Sequence, residues 1–294
     1  MNIIQIFKQF PTQESCIKHL ELARWKGDPI CPYCDSTNTN PLVKEMRHHC
    51  NGCRKSFSVT VGTIFHDTKV PLQKWFLLIA LMLNAKKGLS ACQAARDIEV
   101  RRPTVWSMMH RIRKSMVDNG ELLNGIVEMD ETYVGGKPRK GNKKDDDDNT
   151  PSQRGRGTKK IPVVGMVERG GKVKTEKATK DTLKSKDLNE LIRKYINPSE
   201  SVLITDEYKG YNKAASLLPH ARINHSIEYV NGLIHTNTIE SFWAIVKRGI
   251  VGQYHRVSAK HLDKYLDEFC YRYNSRNLDS SVLFGNTIAN MLRP

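Results

Sequence analysis

With 294 residues, 39% of them apolar, the chain is long enough for about two domains with cores of their own. It carries 47 Lys and Arg against 31 Asp and Glu, a formal charge of +16, and this surplus calls for a polyanionic partner, nucleic acid ahead of a membrane surface. The longest apolar run, WFLLIALMLNA at 75–85, is too short to span a bilayer, and MNIIQIFKQFPTQESC lacks the marks of a signal peptide, so a cytoplasmic protein with no membrane partner is expected.

Residues 1–25 read as a short amphipathic helix pair, and with 26–66 they form the first expected domain, 1–66. Of the seven cysteines, Cys31 and Cys34 form one C-x-x-C pair and Cys50 and Cys53 another, with fifteen residues between the pairs. Two residues between thiolates let a tight turn aim both at one ion, and four thiolates close a tetrahedral structural zinc site with no open position for catalysis. Pro32 and Gly52 suit such turns, and MRHHC and KSFSVTVGTIF read as short strands, which together make a zinc ribbon. His48 and His49 are surplus ligand candidates. Arg47, Arg54 and Lys55 incline the ribbon toward DNA, although a ribbon can equally bind protein. Cys16, Cys92 and Cys270 lie in helix-like apolar patterns and read as buried small hydrophobes.

The second expected domain, 67–120, is helical. PLQKWFLLIALMLNAKKG starts with a proline in the first turn and ends at Gly88. Ser90 can cap a short helix through Asp97, and after a break at 98–102 a second helix begins near Pro103, a helix-turn-helix pattern. In that motif the start of the second helix meets DNA, so Arg101, Arg102, Thr104, Ser107, Arg111 and Arg113 are the candidate contacts to phosphate or base edges.

From 121 to 294 strand-like and helix-like runs alternate: 125–134, IPVVGMVE, KVKTEKAT across a Gly170-Gly171 turn, a helix DTLKSKDLNELIRKYI, the strand VLIT, a short helix, a strand HSIEYV and a long helix after 237. Three consecutive strands, then helix, strand, helix, strand and a final helix is the order of a ribonuclease-H-like α/β domain. HRVSAKHLDKYLDEFCYRYNSR reads as a closing packing helix. A segment without apolar residues, about 135–160, is expected as a mobile basic insert that follows DNA backbone, with Asp145–Asp148 as solvated charge. Three acids occupy telling positions: Asp130 on the first strand, Asp206 at the end of VLIT and Glu240 on the late helix. Converging carboxylates repel unless divalent cations lie between them, and two hard ions about 4 Å apart suit phosphodiester transfer, so two Mg²⁺ or Mn²⁺ ions are expected. Glu128, Glu131 and Glu207 are rivals; Glu128 lies deeper in the strand and Glu131 points to its other side. In HTNTIESFWAIVKRG, Asn237, Glu240 and Lys247 share one helix face, with Lys247 about 10 Å beyond Glu240 and directed at DNA phosphate. Phe242 and Trp243 read as core packing, with a base contact by Trp243 as the lesser reading.

The stretches CPYC…CNGC, LSACQAARDIEVRRPTVWSMMHRIR, VEMDETYVGGK, ITDEYKGY and HTNTIESFWAIVKRG resemble those of bacterial DDE-type insertion-sequence transposases of the zinc-ribbon, ISXO-like group. The resemblance implies metal-dependent DNA cleavage and strand transfer at terminal inverted repeats, with terminal-repeat and target duplex DNA as partners and a homodimer or larger assembly, nucleoid-associated when bound. Asp130 and Asp206 match the first two family acids. Both residue types known at the third position are present, Glu240 leading because a carboxylate offsets cation charge and Asn237 standing as its rival. Lys247 matches the following basic residue, and Arg248 is grouped with it as a DNA contact. A nuclease or resolvase that cuts without joining, and a zinc-ribbon regulator with an inactive catalytic domain, are the competing functions.

Overall fold

The computed structural model describes residues 1–117, 120–135, 160–179, 183–224, 232 and 234–293. The chain divides into two compact units, Met1–Val117 with Ser275–Pro294, and Asp118–Asn274. The last twenty residues, read in the sequence as part of the domain 121–294, therefore group with the N-terminal unit.

In the first unit α1 (Ile3–Gln9) and α2 (Gln13–Trp25) each begin with a capping box, Asn2 with Gln5 and Thr12 with Ser15, which satisfies the first backbone N–H groups of each helix. The ribbon follows as three antiparallel strands, β1 (Thr39–Leu42), β2 (Arg47–Cys50) and β3 (Ser56–Phe57), in the order β1-β2-β3. β3 is far shorter than KSFSVTVGTIF suggested. Arg24 Nη1 donates to the carbonyls of Val59 and Val61 at 2.6 and 2.7 Å, and Thr63 Oγ1 donates to Thr60 O at 2.7 Å, so these carbonyls close turns instead of extending a ladder.

Helix α3 (Leu72–Asn84) is buried almost all round, and α4 (Ala91–Asp97), α5 (Arg102–Lys114) and α9 (Ser280–Met291) complete the unit. Ser90 caps α4, accepting from Gln93 N–H at 3.2 Å, and residues 98–101 turn the chain into α5. Glu99 in that turn has φ +51°, which breaks the helix where the sequence showed a break. The C-terminal segment joins this unit through aromatic packing: Phe284 of α9 lies against Phe10 and Phe76, with centroids 6.1 and 5.7 Å away.

The second unit is built on a mixed five-stranded sheet in the order β6-β5-β4-β7-β8. Strands β4 (Leu123–Val134), β5 (Ile161–Glu168) and β6 (Val173–Lys177) form an antiparallel meander, and β7 (Ile196–Thr205) and β8 (His220–Arg222) add parallel to β4. This is the ribonuclease-H-like arrangement that the element order implied. The fifth strand lies at His220–Arg222; HSIEYV at 225–230 and nearly all of the insert, 136–159 with its four aspartates, fall outside the described residues.

The sheet separates two cores. On one face Leu123, Val127 and Met129 meet Leu188 and Ile192 of α6 (Ser185–Tyr195) and Tyr211. On the other, Val134, Val163 and Val167 meet Ile239, Phe242, Trp243 and Val246 of α7 (Asn237–Gly249) and Leu266 and Phe269 of α8 (Leu262–Asn274). Alternation along β4 therefore sends Glu128 and Asp130 to the α7 face and Glu131 to the α6 face, where Tyr211 O–H donates to it at 2.6 Å. A five-residue π-turn, Ile250–Tyr254, carries α7 onward, and its Tyr254 hydroxyl donates to buried Glu268 of α8.

Gly165 of β5 pairs with Asp130 and has no side chain where α7 crosses. A Cβ there would overlap the Trp243 ring and come within 2.9 Å of Ile239 Cδ1. Gly165→Ala should thus destabilise the second unit by roughly 1–3 kcal/mol through overpacking, measured by urea unfolding, whereas Gly252→Ala, with nothing near its Cβ, should be nearly neutral.

Candidate active site and metal centres

The four ribbon cysteines bring their sulfurs within 4.8 Å of one another, with Cys31 Sγ 3.6 Å from Cys53 Sγ and Cys34 Sγ 3.5 Å from Cys50 Sγ. Four thiolates at about 2.3 Å from a tetrahedral zinc would lie about 3.8 Å apart, so the residues fit the ion. The two knuckles are built alike. Asp35 and Arg54, one residue past each pair, adopt φ of +56° and +57°, and each donates its N–H to the carbonyl of the first cysteine, Cys31 or Cys50, at 2.9 Å. The Cys53 N–H directed at its sulfur lowers the Cys50 thiol, while Cys34, in contact with the Cys50 sulfur, is raised, so that without an ion the crowded sulfurs share a proton between them. His48 and His49 are engaged elsewhere: His48 Nε2 is 2.8 Å from Glu21 Oε1 and packs edge-on to Trp25, while His49 Nδ1 lies 3.3 Å from Ser56 Oγ.

Asp130 and Asp206 follow the last paired positions of two parallel neighbours, Met129 opposite Thr205, so the two aspartates lie side by side where β7 ends and β4 runs on against β5. The Tyr208 N–H donates to Asp206 Oδ1 at 3.0 Å and fixes that carboxylate in the turn leaving β7. Glu240 sits on the exposed side of α7, one turn in, and accepts from Thr236 Oγ1 at 3.0 Å. Burial, then the charges of Glu131, Asp206 and Glu240, push the Asp130 carboxyl up to about 7. A buried carboxyl beside other acids is the kind of group whose charge a hard divalent cation would offset. Among the described residues only the cysteines crowd their ligand atoms within 4.8 Å, the spacing of a single tetrahedral ion; a pair of ions about 4 Å apart spreads its ligands more widely.

Asn237, Lys247 and Arg248 are exposed, as is Glu240, while Phe242 and Trp243 are buried against the sheet, the core-packing reading. On α5 the exposed residues are Arg102, Pro103, Thr104, Trp106 and Ser107 at its start and Lys114 in its last turn, preceded by Arg101. Two of the expected DNA contacts are turned inward. Arg113 is only 1% exposed, because α5 buries Met109 and Met116 on the stripe that also carries position 113. Arg111 is partly covered, lying over the Trp75 ring and donating to His66 O at 2.7 Å. Trp106, 41% exposed, was not among the expected contacts although its position at the helix start pointed there.

The sequence reading also passed over the polar cluster beneath α7. Glu128, fully buried, accepts from Arg169 Nε at 2.6 Å, from Thr238 Oγ1 and N–H at 2.8 Å each, and from Ile239 N–H at 3.0 Å. Arg169, in the turn between β5 and β6, also donates through Nη2 to His235 O at 2.8 Å and meets His235 Nδ1 at 3.0 Å. The available signal was the i, i+2 spacing of Glu128 and Asp130, which puts both on one face of the strand.

The profile of the ISXO2-like transposase domain matches residues 122–274, and that of the transposase zinc-ribbon domain matches residues 11–56. An uncharacterized protein in transposable element ISH50 of Halobacterium salinarum is 27% identical over 284 residues, covering 90% of this chain and 92% of the relative. Among solved structures, the Mos1 strand transfer complex is 15% identical over 74% of each chain with a TM-score of 0.31. The Mos1 paired-end complex with the left transposon end is 15% identical over 72% of this chain and 74% of that one, at 0.30. Among the described residues no helix is long and apolar enough to cross a membrane.

The proton affinity of Asp130 sets a stability trend for the metal-free protein. Between its unfolded value near 4 and about 7, the folded chain holds a proton that the unfolded chain releases, so this contribution is complete below pH 4 and lost as pH rises through 7. Asp130→Asn should raise the melting temperature over wild type by roughly 5 °C at pH 8 and leave it unchanged near pH 4, by calorimetry in chelator. Cys50→Ser should release zinc and abolish the near-ultraviolet dichroism of Trp25, which packs on β2 and β3 through His48 and Phe57; zinc retained at one equivalent would contradict a four-thiolate site.

Proposed function

The chain belongs to the family of ISXO2-like transposase domains, and from that premise we propose that it is a DNA transposase that cuts and joins strands at the terminal inverted repeats of an insertion sequence. The observation that supports this reading is the parallel register of β4 and β7, which sets Asp130 and Asp206 side by side, with the Glu240 charge also felt at Asp130 after burial, Glu131 and Asp206. On this reading the three carboxylates would hold two Mg²⁺ or Mn²⁺ ions, which, when bound, activate the attacking oxygen and stabilise the leaving one.

The protein's own groups do the rest. Asp206, held in the turn leaving β7 by the Tyr208 N–H, and Asp130, on the central strand of the sheet, offer neighbouring carboxylate oxygens. Glu240 supplies the third carboxylate, and Asn237, one turn earlier on the same side, is its rival. Lys247 and Arg248 in the last turn of α7 are exposed, where they can bind the phosphates flanking the scissile one. Arg101, Arg102, Thr104 and Ser107 form the exposed start of α5, the part of a helix-turn-helix that enters the major groove. Domain roles follow: ribbon and helical segments bind DNA, and the ribonuclease-H-like unit performs the chemistry, in an assembly of at least two chains that pairs two ends.

The deciding experiment incubates the protein with Mg²⁺ or Mn²⁺, a labelled terminal-repeat duplex and a plasmid. Joined product is expected; cleavage without joining would indicate a nuclease, and neither reaction a regulator. Glu240→Gln should lower cleavage at least 100-fold while duplex affinity stays within twofold, and full activity in that variant would transfer the role to Asn237.

A further inference from the structure

Helix α7 has no side-chain cap of its own. Its N-cap residue, Thr236, donates its hydroxyl to Glu240 and leaves the first N–H groups of the helix to other partners. Those partners come from the sheet: the two oxygens of Glu128 receive the N–H groups of Thr238 and Ile239, the Thr238 hydroxyl and the Arg169 guanidinium. Arg169 extends the same cluster to the carbonyl and ring of His235, just before the helix. A buried carboxylate on β4 thus grips the first turn of α7 two residues from Asp130 and on the same face of the strand, while Glu240 lies on the next turn. Fully buried and with both oxygens occupied, Glu128 has no oxygen to offer an ion or DNA.

We propose that Glu128 is a positioning residue for the metal site: by capping α7 from within the sheet, it fixes how far Glu240 stands from Asp130 and Asp206, and so how tightly the site holds its divalent cations. This rests on the two-metal reading of those three acids. It predicts a defect that differs from simple loss of fold. Weakening the cap leaves every ligand present but displaces one, so ion affinity falls while the protein remains folded and binds duplex.

The test measures Mn²⁺ binding to the zinc-loaded full chain from the electron paramagnetic resonance signal of the free ion. Wild type is compared with Glu128→Gln, Thr238→Val and Thr238→Ser. Glu128→Gln keeps the shape but replaces an oxygen and the charge that face Arg169; Thr238→Val removes a single hydrogen bond and leaves the buried ion pair intact. Mn²⁺ affinity is expected to fall at least tenfold in Glu128→Gln and about threefold in Thr238→Val, and to return to the wild-type value in Thr238→Ser, which keeps the hydroxyl. Duplex affinity should stay within twofold throughout. Unchanged Mn²⁺ affinity in the folded variants would overturn the proposal, as would fewer sites at unchanged affinity, the mark of partial unfolding. Should Glu128→Gln not fold, the Thr238 pair decides. Asp130→Asn and Glu240→Gln serve as controls: wild-type Mn²⁺ binding that neither alters would overturn the two-metal reading itself, whereas binding that they abolish and the Glu128 and Thr238 variants leave intact would overturn only the positioning role.

Discussion

The carboxylate of Glu128 is a charge placed where water cannot reach it, and the arrangement of the second unit depends on how that charge is satisfied. An isolated buried carboxylate would be protonated or expelled. Here a guanidinium, a hydroxyl and two helix N–H groups surround it, and the positive end of the α7 dipole adds to their field. Burying such a pair contributes little net stability, but breaking one by removing a partner costs roughly 3–5 kcal/mol. The cluster therefore acts through specificity: α7 has a single register on the sheet in which every member of the cluster is satisfied.

Gly165 supplies the complementary constraint. The cap fixes where α7 begins, and the missing side chain lets its Trp243 and Ile239 lie directly on β5 beside the strand pair that carries Asp130. One device holds the helix by polar groups and the other admits it by leaving space, and both act next to the same aspartate. At that aspartate burial, and then the charges of Glu131, Asp206 and Glu240, raise the proton affinity.

The ribbon cysteines and the acids of the sheet differ in how far their geometry is written locally. The four cysteines were legible because a knuckle is a few residues long: ligand spacing, turn and pairing lie within one short stretch. The strands that carry Asp130 and Asp206 were legible because each acid follows an apolar strand run, whatever the partner strand. Glu128 was not, since whether an acid on the α7 face of β4 meets solvent or a helix N-terminus depends on where a segment more than a hundred residues later lands. Gly165 was hidden for the same reason. The C-terminal helix was misgrouped because its partners, Phe10 and Phe76, lie at the opposite end of the chain. Arg113 is a different case. The apolar stripe of Val105, Met109, Ile112 and Met116 fixes the phase of α5 and carries position 113 inward, so the orientation was readable, but a basic residue in a basic chain invites an outward reading.

That last difference bears on how the charge surplus can be used. A helix entering a groove needs cations at its start to meet phosphates and a face slender enough to approach base edges. With Arg113 buried and Arg111 committed to Trp75 and His66, the exposed start of α5 holds Arg101 and Arg102 as its cations, with Thr104, Trp106 and Ser107 beside them. Two cations allow only a shallow salt dependence from the start of this helix, since each phosphate contact contributes a slope of about one. A steeper dependence for the whole protein would therefore have to draw on other basic groups, Lys247 and Arg248 on α7 among them. Charge would then be spread over the DNA contacts, while the distinct shapes of Thr104, Trp106 and Ser107 would be left to distinguish one sequence from another.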